Sequence, residues 1–506
     1  MAIKNKIIQL LLLTVSLLFL PYCKSSEPPL TVIEGDPQAA SADTSVAGEN
    51  EKGGASFMQI SIGEIHPIKS MDPLFATNTS TKRFVQQVYE GLVRYNAEGD
   101  IVPAIASEWM VSDDSLTYRF HLRKNAYYHD SEVFAAGTGQ RVVSDDFRFI
   151  FQRMAKSYIP PTAPHLFMSI EGFEPYYQEQ HRLFNPDDRK LTDISGIETP
   201  SDTTLVLRLR EKDPHLLQKL ASPYAVAYPR QAVNNTDKVQ RITRAVGSGP
   251  FQFSQQKSDS LIILARFNGY WANRNAPTRT PRLNRIDFKH RSEKQLYRGL
   301  SNGEIDLIPE LGPSLMQQVI DTSGQLDAGN KISGLDLYKG SKFTYRLLYN
   351  KNFTGTQPAV QREIHKLDLE QLTSNIHPAG IKIQYKRKLT MADPASTRTT
   401  ALEIPYSDDP FIRAIGQQMK ESFERQSVNF RMNDLRVPLS TTSLVADQQM
   451  PVYPHQQTPA DSLTLVRFKV QHYALSKNSI RQFQINDFPW WLNLRQVTVQ
   501  TPDENL

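Results

Sequence analysis

Cysteine appears once in these 506 residues, as Cys23, so the chain cannot staple itself with a disulfide. The eleven histidines include no H-x-x-x-H or H-E-x-x-H pair, the spacing that sets two ligands on one helical face, and no metal or other cofactor is expected. His129-Asp130 is the nearest thing to a ligand pair, and it reads as the end of a strand. No G-x-S-x-G elbow occurs, and the folded part holds no cysteine nucleophile, so catalysis has no visible centre. Paired carboxylates at Asp113-Asp114 and Asp145-Asp146 fall at a turn and a helix start, where backbone bonding accounts for them. Charge of one sign is scarce as well. Lys and Arg number 58 against 53 Asp and Glu, a formal +5. The basic clusters at 274–298 and at Lys386-Arg387-Lys388 read as a solvated face or a contact to anionic headgroups, and no nucleic-acid surface is expected. No internal repeat of about 20 to 50 residues appears.

What is present begins with an export signal. Lys4 and Lys6 precede an apolar run from Ile7 to Leu20, too short and too interrupted to span a bilayer comfortably. Pro21, Tyr22 and Cys23 follow. Residues 24–56 are rich in Ser, Ala, Gly, Pro and acids with few large apolar side chains, the composition of a tether. The folded body is expected from Phe57, and 24 Phe plus 20 Tyr supply material for large cores.

The most informative stretch is 102–154. Leu116, Tyr118, Phe120 and Leu122 alternate with Thr117, Arg119, His121 and Arg123, which predicts a strand with one wet face. Ser112-Asp113-Asp114-Ser115 predicts the turn before it. Phe147, Ile150, Phe151 and Met154 share a helical face, with Ser144 or Asp145 as the expected cap. Ser80 or Thr81 is expected to cap a second helix burying Phe84, Val85, Val88 and Leu92. Further strands are expected around Leu205–Leu209, Leu261–Phe267, Leu283–Phe288 and Tyr345–Asn350.

The wording PAIASEW-x-VSDD-x-LTY-x-FHLRK followed by HD, and then V-x-SDDF-x-F-x-F-QRM, resembles the family 5 solute-binding proteins, the extracytoplasmic oligopeptide and dipeptide receptors of ABC importers. Met71-Asp72-Pro73, Val88-Tyr89-Glu90-Gly91-Leu92, Gly247-Ser248-Gly249-Pro250-Phe251, Asn268-Gly269-Tyr270-Trp271 and Gly303-Glu304-Ile305-Asp306 extend the resemblance to about Asn350. Beyond it the match weakens: Pro358 to Ala460 looks shortened, and the aromatic-acidic segment that anchors ligand in the family has no counterpart. The Tyr270-Trp271 pair is read as packing.

The resemblance implies an α/β, periplasmic-binding-protein-like fold of the type II, three-lobed cluster C kind, with a hinged ligand cleft. Lobe I would combine 57–78, 195–290 and 468–506, lobe II would be 79–194, and a shortened lobe III 291–467. It implies a non-enzymatic receptor, monomeric, that binds oligopeptides and docks on ABC permease subunits. Nickel chelates, sugars and haem stay open as ligands. The ligand-binding residues it implies are Pro67, Ile68, Tyr158, Glu304, Tyr349, Asn350 and Tyr473. The place of Cys23 resembles a lipoprotein box, although Tyr22 is larger than the residue usual there, and implies lipidation, a membrane anchor and an extracytoplasmic location at the periplasm-facing side or the cell surface. A surface lipoprotein that keeps the scaffold and has lost transport coupling is the alternative.

Overall fold

The computed structural model describes residues 57–350 except 184, 235–238, 274–280 and 331, then strand segments 382–386, 402–405, 430–433 and 442–447, helical positions 417 and 421, and residues 462–485 and 490–500. Over 341–350, in those four strand segments and over 462–469 it describes the backbone alone. Cys23 and the tether lie outside the described residues. Phe57–Leu506 forms one compact unit.

The chain opens with β1 (Gln59–Glu64), whose residues after Gln59 are all buried, as a strand covered on both faces requires. Helix α1 (Thr79–Val88) follows, burying Phe84, Val85 and Val88 as the periodicity predicts; Leu92, expected on the same face, is buried but lies beyond the helix end. The short hairpin β2 (Val93–Tyr95) and β3 (Ile101–Pro103) leads to β4 (Ala106–Val111) and β5 (Thr117–Leu122). Helix α2 (Ser144–Met154) packs against β6 (Ile197–Ser201) and β7 (Thr204–Arg208). Then come β8 (Phe251–Ser258), β9 (Leu261–Arg266), β10 (Arg285–His290), helix α3 (Glu293–Ser301) and β11 (Leu307–Ile308). The remaining strands are β12 (Leu335–Asn350), β13 (Lys382–Lys386), β14 (Leu402–Pro405), β15 (Phe430–Asn433), β16 (Thr442–Asp447) and β17 (Ser462–Lys477).

Two sheets organise these strands. A nine-stranded sheet runs β16-β12-β17-β11-β1-β10-β9-β8, with β13 also on β17. Within it β1 is parallel to both β10 and β11, while β17 is antiparallel to β11 and β12. A smaller antiparallel sheet runs β4-β5-β7-β6. The expected lobe limits at 195 and 291 cut across these sheets: β6 and β7 hydrogen-bond to the β5 side, and β11 stands between β1 and β17.

Local expectations meet three differences. The α1 cap is Asn78, whose Oδ1 accepts from the Thr81 amide at 2.8 Å; Ser80 instead donates to Glu64. At α2 the capping carboxylate is Asp146, which accepts from the Val143 amide at 2.9 Å, while the Ser144 hydroxyl donates to the Ser201 carbonyl. Strand β4 has no counterpart among the expectations, because most of its side chains are exposed and give no alternation.

The matched phrases lock onto one another. Gly247 and Gly249 lie so close to α1 that a Cβ on Gly247 would stand 2.0 Å from the Val88 carbonyl oxygen. The same loop holds His129. Its Nε2 donates to the Gly249 carbonyl at 3.0 Å and its Nδ1 accepts from the Gly247 amide at 3.3 Å, which requires the neutral ring with its proton on Nε2. Burial lowers the pKa of this imidazole to about 4. Likewise Glu90 accepts from Tyr270 Oη at 2.8 Å, Trp271 Nε1 at 2.5 Å and Arg495 Nη2 at 2.8 Å, so both aromatics are packed and bonded inside.

The His129 geometry fixes the sign of an acid effect. The unfolded ring titrates near 6.5 and the folded one near 4, so stability is full above 6.5 and is lost as pH falls toward 4, by up to about 3 kcal/mol. Urea unfolding of the protein between pH 7.5 and 4.5 should show that loss, and His129→Gln should remove its share of the slope whatever it does to the plateau.

Candidate functional site

The two parallel strands β1 and β11 end side by side, and chain leaving the carboxyl ends of parallel strands lines a crevice in folds of this kind. From β1 the chain passes through Glu64, Ile65, His66, Pro67 and Ile68 to the Asp72 turn; from β11 it passes through Pro309 to Glu310. A fully buried guanidinium, Arg83 of α1, joins the two ends. Its Nε donates to Glu64 Oε1 at 2.8 Å and its Nη2 to Glu64 Oε2 at 2.5 Å, and Nη2 also reaches Glu310 Oε2 at 3.3 Å. Ser80 Oγ and Thr79 Oγ1 donate to Glu64 and Glu310 at 2.6 and 2.5 Å. Burial works against the charge on both sides. The Glu64 and Glu310 carboxylates still hold the Arg83 pKa above its usual value, and Arg83 with His66 and His472 holds the Glu310 carboxyl below the usual range. The arrangement is a rigid charged floor, fully hydrogen-bonded on the arginine side.

A second buried pair fixes the lip of the same crevice. Asp72 caps the short 3-10 helix at Pro73–Phe75 through the Leu74 amide at 3.1 Å. Arg153, from the end of α2, binds it with both nitrogens, Nη1 to Oδ1 at 3.0 Å and Nη2 to Oδ2. Arg153 also donates to Tyr228 Oη at 3.1 Å and to the Gln240 carbonyl at 2.8 Å, and the Ile242 amide donates to Asp72 Oδ2 at 3.0 Å. One carboxylate thereby gathers the loop after β1, the end of α2 and segment 240–242. Burial disfavours the Arg153 charge, yet Tyr228 and Asp72 together hold its pKa above the usual value.

Several of the expected ligand residues come to this edge. Pro67 offers its carbonyl to Asn78 Nδ2 at 3.0 Å, and Ile68 is half-buried against the core. Tyr158 donates to Gln240 Oε1 at 3.2 Å, next to the Asp72 pair, and burial raises its pKa. Tyr473 is buried in β17 opposite Lys339, and its carbonyl accepts from the Leu311 amide just past Glu310. Glu304 is not brought here. It is exposed in the turn feeding the amino end of β11, held by Asn302 Nδ2 at 2.9 Å, with its carbonyl accepting from Lys289. Tyr349 and Asn350 lie at the far end of β12 opposite Leu463 and Ser462, and their side chains are outside the described residues. Sequence reasoning missed Glu64, Arg83, Glu310 and Arg153, whose charged partners stand 19 to 227 positions away with no shared local pattern.

Among the described residues, no group of three or more His, Cys, Asp or Glu side chains is placed to hold a metal ion. A cavity among Gln86, Glu90, Arg94, Ser222, Trp490 and Arg495 measures about 50 Å³, room for water rather than for a solute.

Comparison with known proteins agrees with this architecture. The family model for bacterial extracellular solute-binding proteins, family 5 Middle, matches residues 100–360, just over half of the chain. Haem-binding protein A of Haemophilus influenzae is 28% identical over 243 residues, 47% of this chain and 42% of that protein. The dipeptide-binding protein DppE of Bacillus subtilis is 26% identical over 264 residues, 50% of this chain and 45% of its own. The chain thus matches less than half the length of these curated relatives. Among solved structures, Listeria monocytogenes OppA bound to peptide superposes with a TM-score of 0.64 at 14% identity, covering 88% of this chain and 100% of that one. The Borrelia burgdorferi oligopeptide-binding protein OppAIV gives 0.65 at 15% identity over 88% and 100%. At such identities the likeness establishes the fold, the mixed α/β periplasmic-binding-protein type.

The Asp72–Arg153 pair should be strongly coupled. Arg153→Met leaves a buried carboxylate without its partner and is expected to cost about 3–5 kcal/mol. Asp72→Asn should cost a comparable amount, and the double variant clearly less than the two added together. Urea denaturation of the four proteins measures this; strict additivity would show that the pair acts as two separate residues.

Proposed function

We propose, from the premise that this chain belongs to the bacterial extracellular solute-binding proteins of family 5, that it is a lipid-anchored receptor capturing oligopeptides for an ABC importer. Proteins of this family are binding receptors and not enzymes. The observation that carries the reading is the long β12–β17 ladder, sixteen residues on each strand, which runs past the charged floor and is broken in register between Lys339 and Lys342. A crossing beside a crevice, with an irregular step in its hydrogen bonding there and a second between Leu347 and Leu348, suits a lobe that closes on a solute. Ligand would then favour the closed state by binding it more tightly than the open one. Peptide is the chosen solute because dipeptide- and oligopeptide-binding proteins recur among the relatives and structural neighbours; haem- and nickel-binding proteins recur there too. Pro67, Ile68, Tyr158 and Tyr473 are the residues assigned to the ligand side. On this reading the division between the first two lobes falls after β7, and the third lobe begins after β11.

Anchoring is assigned to Cys23, which follows the apolar run Ile7–Leu20. One acyl chain holds weakly, and stable attachment takes a second.

Two measurements test the reading. Full-length protein in mild detergent should gain thermal stability with a mixture of random short peptides. At a hundredfold excess over Kd the gain is about 2.7 kcal/mol, a rise of a few degrees. A folded protein whose melting point no peptide moves would leave the scaffold without this function. Separately, cells expressing the protein should label it with radioactive palmitate, and Cys23→Ser should abolish the label and move the protein out of the membrane fraction.

A further inference from the structure

At the crevice lip stands a cation that no acid answers among the described residues. Arg241 is exposed, and its guanidinium carbon lies over the Phe75 ring at 4.2 Å from the centroid. Its position is held from both sides: Gln240 is bound by Arg153 and Tyr158, and the Ile242 amide is bound by Asp72. A guanidinium laid on an aromatic face keeps its N–H edge turned outward, where it can meet a planar anion with two parallel bonds. The other arginines of this edge are committed, Arg83 to Glu64 and Glu310, Arg153 to Asp72, and Arg244 to Glu132. No described carboxylate pairs with Arg241. The acid of the lip, Asp72, is fully buried and saturated by Arg153 and two amides. Phe75, under the cation, is only partly buried, and so are Ile68 and Met71 on the same loop after β1.

We propose that Arg241, seated on Phe75, is the carboxylate-recognising group of the crevice: it takes the terminal carboxylate of a short peptide whose last side chain packs on Ile68, Met71 and Phe75. The assignment rests on the peptide-receptor reading and adds to it the polarity of the bound chain and the chemistry of its end. A single charge-assisted fork at a half-wet site is worth on the order of tenfold in affinity. Lysine at this position would keep the charge and lose the planar fork and the stacking.

Calorimetric titration of the full-length protein with an equimolar set of Ala-Ala-Xaa tripeptides, Xaa being Leu, Ile, Met or Phe, decides it, each set supplied as the free acid and as the terminal amide. Wild type should bind the acids about tenfold more tightly than the amides. Arg241→Gln should weaken the acids about tenfold, leave the amides unchanged and so close the gap, while Arg241→Lys should recover part of it. Equal binding of acids and amides by wild type would overturn the assignment and leave the peptide receptor standing. So would a gap that survives in Arg241→Gln. If wild type binds neither set, the peptide reading falls and this assignment with it. Arg241 is a surface residue, and a melting point unchanged by the substitution shows that the variant is folded.

Discussion

The Asp72–Arg153 pair is the constraint on which the lip of the crevice depends. A carboxylate and a guanidinium taken out of water cost several kcal/mol each unless their bonding positions are filled, and here they are filled from three directions. The loop after β1, the last turn of α2 and segment 240–242 are far apart in sequence and meet only because one acid needs all of them. Loops that present side chains to a solute are ordinarily the least certain part of a fold. Tying them to a buried charge gives them the definition of core.

The same device recurs, which explains what the sequence could and could not convey. His129 belongs to one recognisable phrase and the Gly247–Gly249 loop to another, and each satisfies the other. Glu90 does the same for Tyr270 and Trp271. Phrases of this kind encode complementary halves of buried polar contacts, so they identify a fold well and say little about what it binds. Strand β5 and helices α1 and α2 were legible because each buries one periodic face, and β7, β9 and β10 because each carries a short apolar run buried without a break. The caps were not, because Asn78 and Asp146 win only once tertiary contacts claim Ser80 and Ser144. Strand β4 left no periodic trace because it lies at a sheet edge with most of its side chains in water.

The site was less legible than the fold for a related reason. Pro67, Ile68 and Tyr158 could be placed by their distance from a recognisable phrase. Glu304 came from such a phrase too, yet the phrase serves the amino end of β11, and β11 runs parallel to β1. Its acid therefore faces away from the end where Pro67 emerges. Arg83 and Glu310 are separated by 227 positions and look like unremarkable surface charges in the sequence. Only the folded chain shows that one is fully buried and that the other closes its network.

A hinged receptor needs a floor that does not yield and a crossing that does. The Glu64–Arg83–Glu310 network meets the first need: breaking any contact in it would strand a charge away from water, so it resists small displacements. On the proposed reading the β12–β17 ladder meets the second at the break between Lys339 and Lys342, where Gly340 and Ser341 lack the regular pairing found on either side. Bending concentrates where the ladder is already interrupted, because fewer hydrogen bonds must distort there. The break stands next to Tyr473 and, through the Leu311 amide, next to the end of the floor. Rigid and compliant parts thus meet within one residue of each other. A solute touching both would convert its binding energy into lobe rotation rather than into deformation of its own site.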